Sequence, residues 1–248
     1  MTKKNAEQPK KKPARKHAQK GPPKAVKEFG HGTVYFHTIE LAHIAFMARD
    51  RARVDSERPN ALPTDALVSV VMAVVTAEAF INELPDCIHA GESSLPVTPE
   101  MLICATLLEE AEEQRKSILE KYQIAARALS GKGFAKGRAP MQDFALLVSI
   151  RNQIVHFKPA WSNQKHTARK LVAGLEQRGI STVSAKGYQL PWLNVLEDSK
   201  VATWACETTR AMMLAVLDLT PELAEDRNFL DPFHFLKEPL RDWARFTP

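Results

Sequence analysis

The sequence predicts an all-α fold, a helical bundle with a basic N-terminal tail. The first reason is that apolar side chains recur in several long segments at intervals of three and four residues, the spacing of a buried helix face. The second is that prolines and glycines cluster between these segments. No segment shows the sustained alternation typical of a strand. With 248 residues, of which 44% are hydrophobic, the chain can bury a sizeable core.

The tail precedes the first helix and is predicted to be disordered over residues 1–30, because it has no apolar run to bury. Nine lysines and Arg15 against the single Glu7 give residues 1–27 a net charge of +9, whereas the whole chain carries +5. The rest of the chain therefore carries −4. A polybasic tail attracts phosphates without reading sequence, and a solubilising or targeting arm is the alternative.

Three helices are predicted in the first half of the chain. Residues 37–51 have apolar side chains at helical spacing. Residues 66–84 follow a threonine and an aspartate that can cap a helix, and they are almost continuously apolar. Residues 98–130 begin with a threonine followed by proline, the order expected of an N-cap and the first helical position. The second of these helices is expected to lie at the centre of the core.

The second half of the chain is predicted to contain three more helices. Residues 141–157 follow a glycine-containing loop at residues 130–140, residues 167–177 form a short helix, and residues 198–219 carry their apolar side chains on one side until a proline ends the helix. The bundle as a whole is predicted over residues 31–220. Residues 221–248, which are rich in proline and aromatic residues, are expected to be irregular and to pack on the body.

The chain is predicted to be cytoplasmic and to have no membrane partner. It lacks the apolar core of a signal peptide. Cys87, Cys104 and Cys206 are too few and too scattered for a disulfide framework or a cysteine-based metal site. The apolar run of residues 66–84 is interrupted by acidic and amide residues before it reaches the roughly 20 apolar residues that a bilayer span needs.

A polar cluster interrupts the apolar stripe of the helix predicted over residues 141–157. Arg151 stands in the stripe, where it must find a partner or a cleft. Asn152 and His156 are four positions apart and lie one above the other on a helix. Arg151 and His156 are about 140° apart around the helix axis, so only the length of the arginine side chain lets the two converge on one ligand.

The helix predicted over residues 66–84 offers the complement to this cluster, because its apolar row leads into Glu78 and Asn82. If the two helices are neighbours, Glu78 or Glu83 can hold Arg151 in place, and Asn82 can supply further hydrogen bonds. The alternative, which residue types alone favour, is a buried polar network that only fixes the register of the helices.

These two segments together resemble the HEPN superfamily. The residues concerned are AEAFINEL, at 77–84, and SIRNQIVHFKP, at 149–159. HEPN ribonucleases are helical proteins that carry an arginine, a polar residue and then a histidine after four to six intervening positions. Arg151, Asn152 and His156 match this motif residue by residue. The resemblance therefore implies a HEPN-like helical bundle.

The resemblance also implies an activity, which is metal-independent RNA cleavage by attack of the ribose 2′-hydroxyl on the adjacent phosphate. His156 would serve as general base or acid, Arg151 would stabilise charge on the transition state, and Asn152 would orient the substrate or the histidine. The acidic residue that the family carries on an earlier helix would be Glu78 first and Glu83 second. A second match to the spacing, over residues 227–234, is set aside because a proline interrupts any regular helix there.

The expected partners are RNA and a second copy of the chain. Lys132, Lys136 and Arg138 of the glycine-containing loop, together with Lys158, are the predicted nucleic-acid contacts. Family members usually build the site across a two-fold axis, so the resemblance implies a homodimer. Toxin and phage-defence roles are common in the family, which makes an antitoxin or other regulator a further candidate partner.

Other functions stay open at this point. One is a non-catalytic HEPN-like module for dimerisation or for nucleotide or RNA binding, in which the polar cluster is structural. Another is a nucleic-acid binder that acts through its tail and performs no chemistry. No cofactor and no metal are predicted, because the three histidines near the start of the first helix are six residues apart and no H-E-x-x-H motif is present.

Overall fold

The all-α prediction is confirmed in the part of the chain that the computed structural model describes. The described residues are 37–55, 64–91, 97–156, 164–180, 192–220 and 240–241. Their regular elements are all helices, and no strand occurs among them. The predicted tail and nearly all of residues 221–248 lie outside these residues.

Eight helices form the described part of the bundle. In chain order they are α1 (His37–Asp55), α2 (Thr64–Gly91), α3 (Pro99–Glu113), α4 (Ile118–Ser130), α5 (Met141–Val155), α6 (Gln164–Glu176), α7 (Trp192–Leu196) and α8 (Ser199–Leu217). Helices α1, α2, α5, α6 and α8 confirm the predicted elements, although α1, α2 and α6 extend beyond the predicted bounds. The short α7 was not predicted.

Helix α2 is the central element, and it packs against α1, α3, α4, α5 and α8. Its segment Thr64–Ala90 is long and apolar enough to cross a membrane by length and composition, yet half of its most apolar window is buried inside the bundle. The core helix of a soluble protein meets the same two criteria. Phe80, Ile81 and Leu84 are all 1% exposed or less, so α2 gives its apolar surface to the bundle core.

An aromatic cluster at the centre of the bundle fixes α5 relative to α2. The ring of Tyr122, on α4, meets the ring of Phe144, on α5, edge to face at 5.0 Å between centroids. Its other neighbour is Phe80 of α2, at 6.3 Å. The Tyr122 hydroxyl donates a hydrogen bond of 3.0 Å to the carbonyl of Ala77, one turn before Phe80. Since buried tyrosines need a partner for the hydroxyl, this bond sets the register between α4 and α2.

The prediction of a single helix over residues 98–130 is wrong, because the structure has two helices there, α3 and α4. Arg115 adopts a left-handed backbone conformation with φ of 53°, which ends α3. Ser117 then caps α4: its side chain accepts from the backbone N–H of Glu120, whose carboxylate accepts from the backbone N–H of Ser117. This reciprocal pair satisfies two N–H groups that a helix start leaves free.

The end predicted for the second helix at residue 84 is also too early, because α2 continues for two further turns. Pro85 lies inside it and removes one backbone hydrogen bond. Cys87 and Ile88, which follow, are fully buried in the core. Their burial holds the last turns of α2 in the bundle despite the proline.

Candidate functional site

The candidate site is built around an ion pair between α2 and α5. Nη2 of Arg151 lies 2.5 Å from Oε2 of Glu78. The arginine side chain is 18% exposed and the glutamate side chain 46% exposed, so the pair sits at the edge of the core with one member open to solvent. The two helices predicted to be neighbours are therefore adjacent, and the arginine that interrupts the apolar stripe of α5 is held by the first of its two candidate carboxylates.

The remaining donors of Arg151 show how much of the guanidinium is occupied. Nη1 donates a hydrogen bond of 3.2 Å to Oδ1 of Asn152. Nε is buried and has no hydrogen-bond partner. Since each terminal nitrogen of a guanidinium carries two N–H groups, one on Nη1 and one on Nη2 are left for a ligand. The pair with Glu78 thus orients Arg151 without using all of its donors.

His156 lies just past the last residue of α5 and is exposed. Its backbone N–H donates to the carbonyl of Asn152 at 3.0 Å, which closes the final turn of the helix. In the described part of the chain no hydrogen bond joins the His156 side chain to Arg151. Val155, the preceding residue, is 53% exposed, so the surface beside the histidine is partly apolar.

Glu83, the second candidate carboxylate for Arg151, performs a different task. It accepts hydrogen bonds from the backbone N–H groups of His37 and Thr38, at 2.9 and 3.2 Å, and from the Thr38 hydroxyl at 2.6 Å. These donors belong to the first turn of α1, where a helix leaves N–H groups free and favours negative charge. The expectation that Glu83 supports Arg151 is therefore wrong, because its carboxylate caps α1.

Asn82 also turns away from the Arg151 cluster. Its Oδ1 accepts a hydrogen bond of 2.7 Å from Nζ of Lys121, on α4. The same ammonium group forms an ion pair with Glu112 of α3. The Lys121 side chain is 7% exposed, so these two oxygens replace the water that its charge would otherwise need. The prediction that Asn82 forms hydrogen bonds with Arg151 is therefore wrong, because the Asn82 oxygen binds Lys121.

Lys121 is a buried polar residue that was not predicted from the sequence. A helix that begins after Ser117 places Lys121 and Ala125 one above the other, on the face that packs against α2. The capping pattern of Ser117 and Glu120 was the signal that could have located this face. Gln123, two residues after Lys121, is also buried, and its Nε2 donates to the carbonyl of Phe134 at 2.9 Å.

The predicted nucleic-acid contacts do not lie beside Arg151. Lys132, Lys136 and Arg138 are exposed on the loop between α4 and α5. This loop leads into the start of α5, and Arg151 lies ten residues further along, which corresponds to about 15 Å of helix. Lys158 lies outside the described residues, as does the second match to the motif at residues 227–234.

Comparison of the chain with protein-family models, with curated proteins and with solved structures found no match in any of the three. Among the described residues, no group of three His, Cys, Asp or Glu side chains is placed to hold a metal ion. The function is therefore inferred from the chain's own residues.

Proposed function

We propose that the chain is a metal-independent RNA endonuclease of the HEPN type that acts as a homodimer in the cytoplasm, with Arg151, Asn152 and His156 in its active site. The observation that carries the proposal is the ion pair between Arg151 and Glu78. It supports the proposal because the resemblance requires an acidic residue of an earlier helix beside the motif arginine. A toxin or phage-defence role, with an antitoxin or other regulator as partner, belongs to the same proposal.

In the proposed reaction, the ribose 2′-hydroxyl attacks the adjacent phosphorus while the bond from phosphorus to the 5′-oxygen breaks. His156 takes the proton of the 2′-hydroxyl or gives one to the leaving oxygen, a task suited to a histidine near neutral pH. Arg151 donates its remaining N–H groups to the oxygens of the phosphorane-like transition state. The products are a 2′,3′-cyclic phosphate and a 5′-hydroxyl end.

The unpaired Nε of Arg151 is relevant to this step. A buried donor without a partner costs about 1–3 kcal/mol, so it disfavours the orientation in which Arg151 pairs with Glu78. Rotation of the guanidinium toward a phosphate therefore costs less free energy than it would if every donor had a hydrogen bond to lose. Asn152, bonded to Nη1, is placed to follow such a turn.

The dimer is proposed because, in the described part of one copy, no hydrogen bond joins the His156 side chain to Arg151. On a regular helix the two positions are about 140° apart around the axis, and His156 is exposed beside the exposed Val155. A second copy related by a two-fold axis can place its own histidine opposite Arg151 and cover this apolar surface.

The role of Arg151 is tested by the variant Arg151→Ala with purified protein, mixed RNAs and EDTA. We expect cleavage to fall by at least about 100-fold, because a preorganised donor to the transition state is lost. The matched control is Arg178→Ala, which breaks the 2.6 Å ion pair between Arg178 and Asp143 of α5 but leaves the motif intact. This control should cut RNA at the wild-type rate.

Two further observations complete the test. DNA of the same sequence should not be cut, because it lacks the attacking 2′-hydroxyl. Loss of folding in Arg151→Ala is checked by circular dichroism, and we expect a destabilisation of no more than about 1–3 kcal/mol because the half-exposed Glu78 can be rehydrated. Equal cleavage by the folded Arg151→Ala variant and the wild type would contradict the proposal.

The second candidate function is a non-catalytic HEPN-like module that dimerises or binds nucleotides or RNA. The observation that favours it is that the Arg151 side chain is largely buried and already paired. In that case Glu78 and Arg151 only fix the register of α2 and α5. A wild type that binds RNA but leaves it uncut, with or without divalent metal, would make this module the better account.

A further inference from the structure

A second site can be located at the other end of α5, in a cleft of about 620 Å³ between α4 and the start of α5. Its volume falls in the usual range for small-molecule pockets. Three cations line it, and they come from three separate segments: Lys116 from the turn before α4, Arg127 from α4 and Lys136 from the following loop. Leu119, Ile124 and Met141 supply an apolar floor. We call this surface the basic cleft.

The three cations of the basic cleft are available to a ligand. In the described ranges, no carboxylate forms a salt bridge with Lys116, Arg127 or Lys136. The one acidic residue of the lining, Glu120, is engaged by the hydroxyl and backbone N–H of Ser117. These hydrogen bonds, together with Lys116 and Lys136 nearby, hold the pKa of Glu120 below its usual value. The cleft therefore keeps an excess of positive charge.

The loop that carries Lys136 is fixed on α4. The buried Gln123 donates from Nε2 to the carbonyl of Phe134 at 2.9 Å. Gly133 approaches α4 so closely that a Cβ atom there would lie 2.4 Å from Oε1 of Gln123 and 3.2 Å from Nε of Arg127. Only a glycine permits this approach without displacing those side chains. Lys136 is thus brought to the cleft by a loop that packs on Gln123 and Arg127 of α4.

The beginning of α5 adds to the positive potential of the cleft. Met141, its first residue, lines the cleft, and the N-cap residue Pro140 provides no side-chain hydrogen bond to the N–H groups of the first turn, of which that of Gln142 donates to the carbonyl of Arg138. An uncapped helix start favours an anion. The acidic residue of this turn, Asp143, is already paired with Arg178.

From the cations, the apolar floor and the volume together, we infer that the basic cleft binds a nucleoside phosphate. The phosphate lies among Lys116, Arg127 and Lys136, and the nucleoside covers the apolar floor. The same chemistry is offered by a free nucleotide and by a nucleotide within an RNA strand. The cleft meets α5 at Met141 and Ala145, about 15 Å and about 9 Å of helix before Arg151, so binding there does not depend on the proposed cleavage reaction.

The test is a calorimetric titration of the full chain with the four ribonucleoside 5′-monophosphates, the unphosphorylated nucleosides and a short 2′-O-methyl RNA oligomer, which the proposed reaction cannot cleave. The variants are Lys136→Gln and Arg127→Gln. The matched control is Lys200→Gln, which removes the same charge at an exposed position of α8 that does not line the cleft. We expect the first two variants to weaken binding about tenfold or more, since each removes a charge-assisted hydrogen bond, and the control to bind as the wild type does.

A third variant examines the acidic residue of the cleft. Glu120→Gln keeps the capping box, in which glutamine also serves, and removes the negative charge. Binding of the monophosphates should tighten, by up to about fivefold for a pair at the surface. Unphosphorylated nucleosides should bind too weakly to measure.

The outcomes distinguish a free nucleotide from a nucleotide within RNA, and both from a cleft that binds neither. Binding of a monophosphate supports a free nucleotide, and binding of the oligomer alone supports a nucleotide within RNA, provided that Lys136→Gln weakens it and Lys200→Gln does not. Equal weakening by Lys200→Gln, or no binding of either probe, overturns the inference. The double variant Arg151→Ala, His156→Ala should bind the monophosphates as the wild type does, so that failure of the cleavage proposal is seen separately.

Discussion

Burial suppresses ionisation of the three cysteines. It raises the pKa of Cys104 from its usual 9.0 to about 12, and that of Cys206 likewise to about 12. Burial also raises the pKa of Cys87, with the negative charges of Glu83 and Asp86 adding to the effect. All three thiols are therefore protonated and unreactive in the folded protein at neutral pH.

We predict that the free energy of unfolding decreases above pH 9. The folded-state pKa of each thiol lies above its unfolded value, so the thiols lose their protons at lower pH in the unfolded chain than in the folded protein. The contribution of the protonated thiols to stability is therefore fully present below pH 9 and is lost as the pH rises toward 12. The slope approaches about 1.4 kcal/mol per pH unit for each thiol.

Urea unfolding at several pH values between about 8 and 10 measures this slope. The variant Cys104→Ala removes one of the three thiols and should make the decrease shallower. A free energy of unfolding that stays constant across this range would contradict the prediction.

The residues of the candidate site could be predicted from the sequence only in part. Arg151 interrupts an apolar stripe, so its need for a carboxylate was visible in the sequence, and Glu78 meets it. The partners of Glu83 and Asn82 could not be predicted. The helical pattern indicates that a side chain points toward the bundle, but it does not indicate which neighbouring helix that side chain contacts. The N–H groups of α1 donate to Glu83, and the ammonium group of Lys121 donates to Asn82.

The ends of the helices were less predictable than their existence. Residues 98–130 have helical composition throughout, and the break at Arg115 depends on a left-handed conformation that arginine seldom adopts. The end predicted for α2 at residue 84 is too early, because the burial of Cys87 and Ile88 holds the turns after Pro85 in the helix. The capping box of Ser117 and Glu120 was the one local signal for the break, and it also creates one wall of the basic cleft.

We predict that Glu83→Ala destabilises the fold by about 1–3 kcal/mol, because it removes three hydrogen bonds to the first turn of α1. Chemical denaturation measures the loss. Glu83→Gln keeps an acceptor and should lose less. Since the carboxylate does not contact Arg151, the folded variants should cleave RNA at the wild-type rate. A loss of cleavage in the folded Glu83→Ala variant would place Glu83 in the active site after all.

For the whole molecule, charge separates the tail from the body. Residues 1–27 carry +9 and the rest −4, so nonspecific attraction to RNA is expected to come mainly from the tail. The body holds the proposed chemistry, on the described helices α2 and α5. We therefore expect that changes in the tail and in the body alter RNA binding and cleavage independently.

We predict that deleting residues 1–27 leaves the melting temperature nearly unchanged, because this segment has almost no apolar residues to bury. RNA binding should weaken and lose part of its dependence on salt concentration, since the counterions released by the lysines no longer contribute. Thermal unfolding and binding measured at two salt concentrations test both parts. A large decrease in melting temperature would show that the tail packs on the body.

The central claim, that His156 transfers protons in RNA cleavage, is tested most directly by the rate of His156→Ala on a defined RNA in the presence of EDTA. Loss of a general acid or base lowers the rate by about 10²- to 10⁴-fold. His156 is exposed and its side chain makes no hydrogen bond in the described part of the chain, so the fold should be unaffected. The matched control is His43→Ala, at an exposed position of α1. We predict that His43→Ala and the wild type cleave RNA equally and that His156→Ala does not, whereas cleavage by a folded His156→Ala at the wild-type rate would contradict the claim.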